Sequence, residues 1–446
     1  MLTRTARLLA AVPAAILLTA ASTAPSAAPA DTTYRDLETF MSVYERVKNN
    51  YVQDVDDHTL IKGAIDGMLN ALDPHSSYAE EADYVDLTTL SNGNYAGIGV
   101  ITTVEDGAMK VVSTNEDTPA WRAGIKSGDF ITRVDGKLVY GLSLDEGIEK
   151  LRGAPGSKVE LSIFRPGRPK PLKLTMVREM IDVKPVKWEV KDKVGIVNLN
   201  RFTGNSAVEV GSALAAIDRE TKGGAIGFVL DLRSNGGGVL EQAVEIADLF
   251  LNSGEIVSQR GRDAGEARHY YAKPGDVTNG RPVLVLVDAG TASASEIVAG
   301  ALQEHRRALV VGERSFGKGS VQSIYNLGPK QALRLTTELY YLPSGRSVQA
   351  GGIEPDIVIP QLSDEDYRSR PEVREADLRR HLIAEGAEDV QLYEDDDGKD
   401  PRFSYTAAEL KKLGIKDFQL EYSVNTLKRI ETAGLADPPA AAPSRV

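Results

Sequence analysis

Residues 282–322 read PVLVLVDAGTASASEIVAGALQEHRRALVVGERSFGKGSVQ, and this stretch constrains the fold more tightly than any other. Pro282 to Val287 is a short apolar, β-rich run closed by Asp-Ala-Gly, the pattern of a strand buried on both faces. Past Thr291-Ala-Ser-Ala-Ser-Glu296, the spacing of Ile297, Val298, Ala301 and Leu302 predicts a helix running to about His305. A strand feeding a helix through small residues exposes one side chain at a tight turn. There the helix N-terminus offers free N–H groups and partial positive charge to developing negative charge. Ser293 is placed to be that side chain.

A serine alcohol is a weak nucleophile near neutral pH, so a neighbouring base must take its proton. The histidines are His58, His75, His269, His305 and His381, and none lies in a motif that looks like a partner. Instead a second strand-like run, Ala308 to Val311, leads into Gly312-Glu-Arg-Ser-Phe-Gly-Lys-Gly-Ser-Val-Gln322, which sets Lys318 among glycines and small residues. With strand periodicity, Lys318, Ser320 and Gln322 share a face. A lysine serves as a base where burial and the lack of a carboxylate partner lower its pKa, and the pattern permits that. Alone, Ser-Ala-Ser-Glu is usually no more than a helix N-cap. The strand before it and the lysine segment after it reverse that reading.

SASE after a strand, followed by GKGSVQ, resembles the carboxyl-terminal processing proteases, also called tail-specific proteases, which are S41-type serine peptidases with a PDZ domain. The resemblance implies Ser293 as nucleophile, Lys318 as general base and Gln322 as the residue that orients the lysine, a Ser-Lys variant of triad logic. Thr291 stands where the family often has serine.

At 446 residues the chain is too long for one ordinary core, so two or three domains are expected. The net charge of −12 disfavours a nucleic-acid partner. With no cysteine, disulfides, thiol catalysis and Cys-ligated zinc are all excluded. Arg4 and Arg7 precede an apolar run from Leu8 to Ala21, and Ala28-Pro-Ala30 supplies small residues before Asp31, the pattern of a secretory signal peptide over residues 1–30. Export to the periplasm or the outer face of the cytoplasmic membrane follows, with membrane association if the segment is retained.

Residues 31–85 read as a helical N-terminal region, two amphipathic helices separated by Asp54-Val-Asp-Asp and stopped at Pro74. His75, among turn and capping groups, reads as structural. In residues 86–180, Tyr95-Ala-Gly-Ile-Gly-Val100, Thr118-Pro-Ala-Trp-Arg-Ala-Gly-Ile and Val134-Asp-Gly-Lys-Leu138 resemble a PDZ domain, a β-rich module with two helices. PDZ domains bind a peptide C-terminus as an added strand and hold its carboxylate on backbone N–H groups. The resemblance implies Gly97, Ile98, Gly99 and Val100 as that peptide-binding loop, with the helix of Leu144, Ile148 and Leu151 walling the side-chain pocket. It also implies a regulatory role for Arg152 in coupling this module to the protease core, against the alternative of a solvated surface charge.

From 181 to 360, strands and helices alternate as in an α/β layered core. Asp231-Leu-Arg-Ser-Asn-Gly-Gly-Gly238 is matched to a family segment, with Gly236 where proline is common, and implies an oxyanion hole at the N–H groups of Gly237 and Ala294, with Gly238 as an alternative. A phosphate loop competes, but the run lacks a closing Gly-Lys-Ser/Thr. Residues 253–280 look polar and turn-rich, with His269 a strand or surface residue. Residues 361–435 read as a helical C-terminal region, with helices at 372–382 and 418–427, and residues 436–446 as a disordered tail.

The fold class expected is therefore α+β and multidomain, with a protease core of the crotonase-like type. The expected activity is that of an exported endopeptidase that recognises protein C-terminal tails and needs no metal or other cofactor. Its partners are tailed protein substrates and, through the terminal helices, a second copy in a homodimer. Two rivals are an inactive PDZ adaptor or chaperone of the cell envelope and an acyl-CoA hydratase-type enzyme. A PDZ module and a signal peptide fit coenzyme A chemistry poorly.

Overall fold

A computed structural model describes residues 30–80, 94–105, 108–114, 117–126, 128–142, 144–168, 170–182, 185–364, 367, 374–383 and 403–434. All but the last residue of the expected signal peptide, and the expected disordered tail at 436–446, lie outside the described residues. The chain divides into two units at about residue 65. In the first, the helix Ala30–Asn50 leaves Tyr34, Leu37 and Met41 exposed along one side. Among the described residues no helix is long and apolar enough to cross a membrane.

The second unit is built around Val283–Val287, whose five residues are all buried. Strand alternation divides them. Val283, Val285 and Val287 join the apolar cluster of the helices Ser206–Glu220, Leu240–Asp248 and Ala294–Glu304, while Leu284 and Leu286 meet Leu410, Phe418, Val424 and Leu427 on the opposite face. At about 1.5–3 kcal/mol for each large apolar side chain removed from water, such double coverage makes this strand the centre of the core. Parallel neighbours follow the same division, with Phe228 and Leu230 on one side and Val229 on the other. The sheet runs Val186–Lys191, Val194–Leu199, Gly227–Asp231, Val283–Val287, Leu309–Gly312, Ile357–Val358, and only the first strand is antiparallel to its neighbour. The apolar face of the helix Phe418–Thr432 is thus spent on the core sheet and is not available for self-association.

A second sheet pairs Ser77–Glu80, Gln331–Tyr341, Glu255–Gly261 and Arg268–Tyr271, with Ser320–Gly328 also on Gln331–Tyr341. Residues 253–280, expected as turns, therefore contain two strands, and His269 lies in the outer one facing Glu255. Of the expected helix at 372–382, the described residues 374–382 form only a single 3-10 turn, Glu375–Asp377. Here tertiary bonds win over local pattern. The Glu375 carboxylate accepts from His75 and Gln349, both at 2.9 Å, and Arg374 donates to the carbonyls of Arg314 and Ser315.

The PDZ module has its own five-stranded sheet with a sixth short strand, Lys137–Leu138, and the helices Pro119–Arg122 and Leu144–Leu151. Val159, Leu161 and Ile163 alternate inward with Val111, Ile131 and Ile98. The chain enters and leaves the module through one pair of short strands, Asn94–Gly97 and Glu179–Asp182.

The C-terminal helix is tied to the core by Arg233, whose guanidinium donates to Asp417 (3.0 and 2.7 Å) and to Asp231 (2.9 and 2.7 Å). Burial alone would raise the Asp417 carboxyl, but the Arg233 guanidinium overrides it and holds the group below its usual range. Asp417→Asn keeps the N-cap yet loses the charge-assisted bonds. It is expected to cost about 2 kcal/mol in urea unfolding at pH 7. Because the folded pKa is depressed, this contribution is complete above the unfolded value near 4 and is lost as pH falls through the folded one. The gap between wild type and variant should close on acidification.

Candidate active site

The parallel strands Gly227–Asp231 and Val283–Val287 end side by side, and the two loops that follow are stitched together. The Thr291 hydroxyl donates to the Leu232 carbonyl (2.9 Å), Ala292 N–H to Asn235 O (3.0 Å), Ser295 hydroxyl to the same oxygen (2.9 Å), and Ser234 N–H to Asp288 (2.7 Å). Reactive groups in open α/β sheets gather at the carboxyl ends of such strands.

Ser293 sits at the top of this turn with φ 57° and ψ −117°, backbone that a non-glycine residue adopts at a cost of roughly 1–3 kcal/mol. Its hydroxyl stands in capping-box position opposite the backbone of Glu296 but makes no capping hydrogen bond of good geometry to the helix that follows. The helix end is met from the other side. Its third residue, Glu296, accepts the Ser293 N–H at 2.7 Å.

Glu296 is fully buried. One oxygen accepts from the Ser315 hydroxyl (2.5 Å) and Gly317 N–H (2.7 Å), the other from Ser293 N–H and, at 2.9 Å, Lys318 N–H. Burial pushes this carboxyl up to about 7, although all four donors pull the other way. Motif resemblance gives Glu296 no role, yet its place three residues into a helix is the signature of a capping partner.

Lys318 precedes the strand Ser320–Gly328 and is not part of it, so the expected strand face shared with Ser320 and Gln322 is not formed. Among the described residues the Lys318 ammonium makes no hydrogen bond or ion pair. Burial holds its pKa below the ordinary lysine value. Arg334 adds to that, while Glu375, Glu296 and Asp73 oppose it. Ser293, Lys318 and Gln322 nevertheless line one cleft of about 560 Å³, with Gly237, Arg201 and Arg334.

Gln322 does not touch the lysine. Its amide nitrogen donates to Ser320 Oγ (3.0 Å) and Thr336 Oγ1 (3.3 Å), and its Oε1 has no partner among the described residues. The Thr336 hydroxyl passes on to Asp73 (3.1 Å), so a residue next to the N-terminal helices supports this side chain. Neither Thr336 nor Asp73 carries a local pattern that would single it out, because the contact spans the chain.

Of the expected oxyanion donors, Gly237 N–H is engaged by Asn235 Oδ1 at 2.9 Å, because the buried Asn235 folds back two residues while its amide holds the Leu199 carbonyl (2.7 Å). The N–H groups of Ala294 and Gly238 have no partner among the described residues. On the Ala294 side of Ser293 a second pocket of about 330 Å³ is floored by Val239, Leu240, Ile297 and Val321.

In the PDZ module, Gly97 ends one strand and Val100 begins the next. Between them Ile98 turns its side chain into the core, and Gly99 takes φ 78° with Thr118 so close that a Cβ would lie 2.4 Å from it. The Ile98 carbonyl accepts from Ala120 (2.8 Å), leaving the N–H groups of Ile98 and Gly99 without partners among the described residues. Arg152 reaches Glu149 at 3.5 Å, and its charge bears on Arg201 in the cleft, whose pKa burial and Arg152 both lower.

A serine whose alcohol makes no capping hydrogen bond of good geometry, next to free main-chain donors and an amine without an ion partner, is equipped for acyl transfer. With a PDZ module in the same chain, the class is that of a serine peptidase with a peptide-binding domain. Comparison with known proteins bears this out. Residues 193–359 match the model for Peptidase family S41, 110–165 a PDZ domain, and 14–82 the N-terminal domain of the activating protease CtpB. A carboxy-terminal-processing protease of Bartonella bacilliformis is 46% identical over 352 residues, 78% of this chain and 81% of that one. The carboxy-terminal processing protease CtpA of Bacillus subtilis is 35% identical over 317 residues, 70% and 67% of the two chains. Among solved structures, a photosystem II D1 C-terminal processing protease is 29% identical with a TM-score of 0.49, covering 73% of this chain and 86% of that one. The chain belongs to the carboxy-terminal-processing proteases of peptidase family S41.

Proposed function

We propose that this protein is an exported endopeptidase that selects substrates by their C-terminal tails and cleaves them with a Ser293–Lys318 dyad, within the domain limits read from the sequence. The observation that carries the reading is that the strained Ser293 and an amine with no ion partner among the described residues line one cleft. Neutral Lys318 takes the proton of Ser293 as its oxygen attacks the scissile carbonyl. The ammonium then gives that proton to the leaving amine, and water, deprotonated by the same lysine, releases the acyl group. Gln322 Oε1 would receive the ammonium once the side chains close on substrate. Ala294 N–H and Gly237 N–H take the developing oxyanion, the latter after Asn235 lets go, with the already free Gly238 N–H as the alternative.

The tail carboxylate is taken by the Gly97–Val100 loop, and Arg152 couples its arrival to the cleft through Arg201. The leader at 1–30 directs export to the periplasm or membrane face. The exposed apolar side of Ala30–Asn50 supports a homodimer, and an uncleaved leader would add membrane association.

The test is cleavage of a model protein bearing an apolar C-terminal tail, against the same protein with its terminal carboxylate amidated. Wild type is expected to cut the free tail at least tenfold faster, Arg152→Ala to lose that preference, and Ser293→Ala to cut neither. Equal rates on both proteins would remove tail recognition. Cleavage by Ser293→Ala would remove the dyad, and no cleavage by wild type would favour the adaptor.

A further inference from the structure

We propose that Glu296 and Tyr340 are positioning residues that clamp the main chain of Ser293 to that of Lys318, so that alcohol and amine keep their spacing as one unit. The proposal rests on the Ser-Lys reading above. Ser293 arrives on the parallel sheet and Lys318 on the lead-in to the other sheet, and among the described residues no main-chain bond joins the two directly. Two side chains hold all four of their main-chain polar groups. Glu296 accepts both N–H groups on a single oxygen, at 2.7 and 2.9 Å. The Tyr340 hydroxyl lies against both carbonyls, its one proton shared between that of Lys318, the closer, and that of Ser293 at 3.1 Å. Tyr340 also binds the next residue, its own N–H donating to the Gly319 carbonyl at 2.9 Å.

Neither side chain is open to solvent. Glu296 is 0% and Tyr340 1% exposed; Tyr340 shows only an edge to the pocket of about 330 Å³ beside Ser293, and its hydroxyl is turned to the two carbonyls. Burying a carboxyl and a phenol is expensive unless they are hydrogen-bonded, and here one Glu296 oxygen is met by Ser293 and Lys318, the other by Ser315 and Gly317, while the Tyr340 hydroxyl is turned to the Ser293 and Lys318 carbonyls. Reacting groups must approach to about 3–3.5 Å, and a misplacement of about 1 Å lowers rates on the order of a hundredfold. A clamp on the backbones of both residues supplies that control without occupying the cleft.

The test uses the full chain and follows acylation of Ser293 by a fluorescent activated aryl ester, the phenolate leaving as the Ser293 oxygen takes the acyl group, in single-turnover time courses, alongside steady-state cleavage of a tailed protein. The rate constant is read from the time course, so an unfolded fraction lowers only the final labelling. Tyr340→Phe removes one oxygen, and Glu296→Gln leaves one acceptor oxygen for four donors that now share two, so an amide NH2 must face an N–H group whichever way the side chain turns. Each is expected to slow acylation and kcat about 30- to 100-fold with KM within twofold of wild type. Because both act on one spacing, the double variant should fall no more than about threefold below the slower single. Acylation within threefold of wild type in either single variant overturns the clamp, as do losses that multiply in the double variant. If Tyr340→Phe does not fold, Glu296→Gln alone decides between the two outcomes. Labelling of Ser293→Ala would instead strike the dyad itself, leaving the two failures distinguishable.

Discussion

Lys318→Met is expected to lower kcat by about four orders of magnitude while leaving the protein at least as stable as wild type at neutral pH. Methionine matches the length and apolar stem of lysine and removes only the amine. An ordinary lysine is neutral in about one molecule in a thousand near pH 7.4, so burial must lower the pKa before the amine is useful, and burial is the leading influence on Lys318. The same burial has a stability cost. Between the depressed folded pKa and the unfolded value near 10.5, the unfolded chain binds one proton more than the folded one, so stability rises with pH across that window. Below it the ammonium is carried at a disadvantage that methionine lacks. Activity of the wild type should accordingly climb with pH through the folded pKa of Lys318, and denaturant midpoints of the variant should equal or exceed those of wild type at pH 7. A variant that keeps activity, or one that unfolds more readily at neutral pH, contradicts the role of a buried neutral amine.

Gly237→Ala keeps its own N–H but is expected to lower kcat by about 10²- to 10³-fold, the loss typical of a missing oxyanion donor, because its Cβ displaces the neighbouring one. Gly237 has φ 95°, and a Cβ there would lie 2.9 Å from the Ala292 carbonyl, the Ala294 nitrogen and the Ser293 Cβ alike. The methyl would therefore land on a proposed oxyanion donor and against the nucleophile. Relief requires moving the turn that carries Ser293. The backbone conformation adds roughly 1–2 kcal/mol of instability, which is measurable by urea unfolding and small beside the kinetic effect. Turnover within tenfold of wild type would place the oxyanion elsewhere.

What could be read from the chain beforehand, and what could not, follows from how far each interaction reaches. Val283–Val287 was legible because an uninterrupted apolar run has one use in a layered core, and the small residues after it leave one way to turn. The strand Glu255–Gly261 was not, because it buries Ser258 and Gln259, polar side chains that look like surface until their partners are known. Local propensity overestimated the helix at 372–382, where Glu375 turns inward to a histidine three hundred residues earlier. Ser293 and Lys318 stood out by motif, whereas Tyr340 sits in an ordinary alternating strand and acquires its contacts only when the two sheets meet. The engagement of Gly237 by Asn235 is equally invisible beforehand, since a glycine run announces freedom and says nothing of which amide is already taken.

The paired strands Asn94–Gly97 and Glu179–Asp182 are the single doorway of the PDZ module. An insertion whose two ends are already side by side asks its host for one short closure, whatever its length, and closure entropy grows only slowly with length. PDZ modules of different sequence are therefore exchangeable at that doorway with no core strand changing its register.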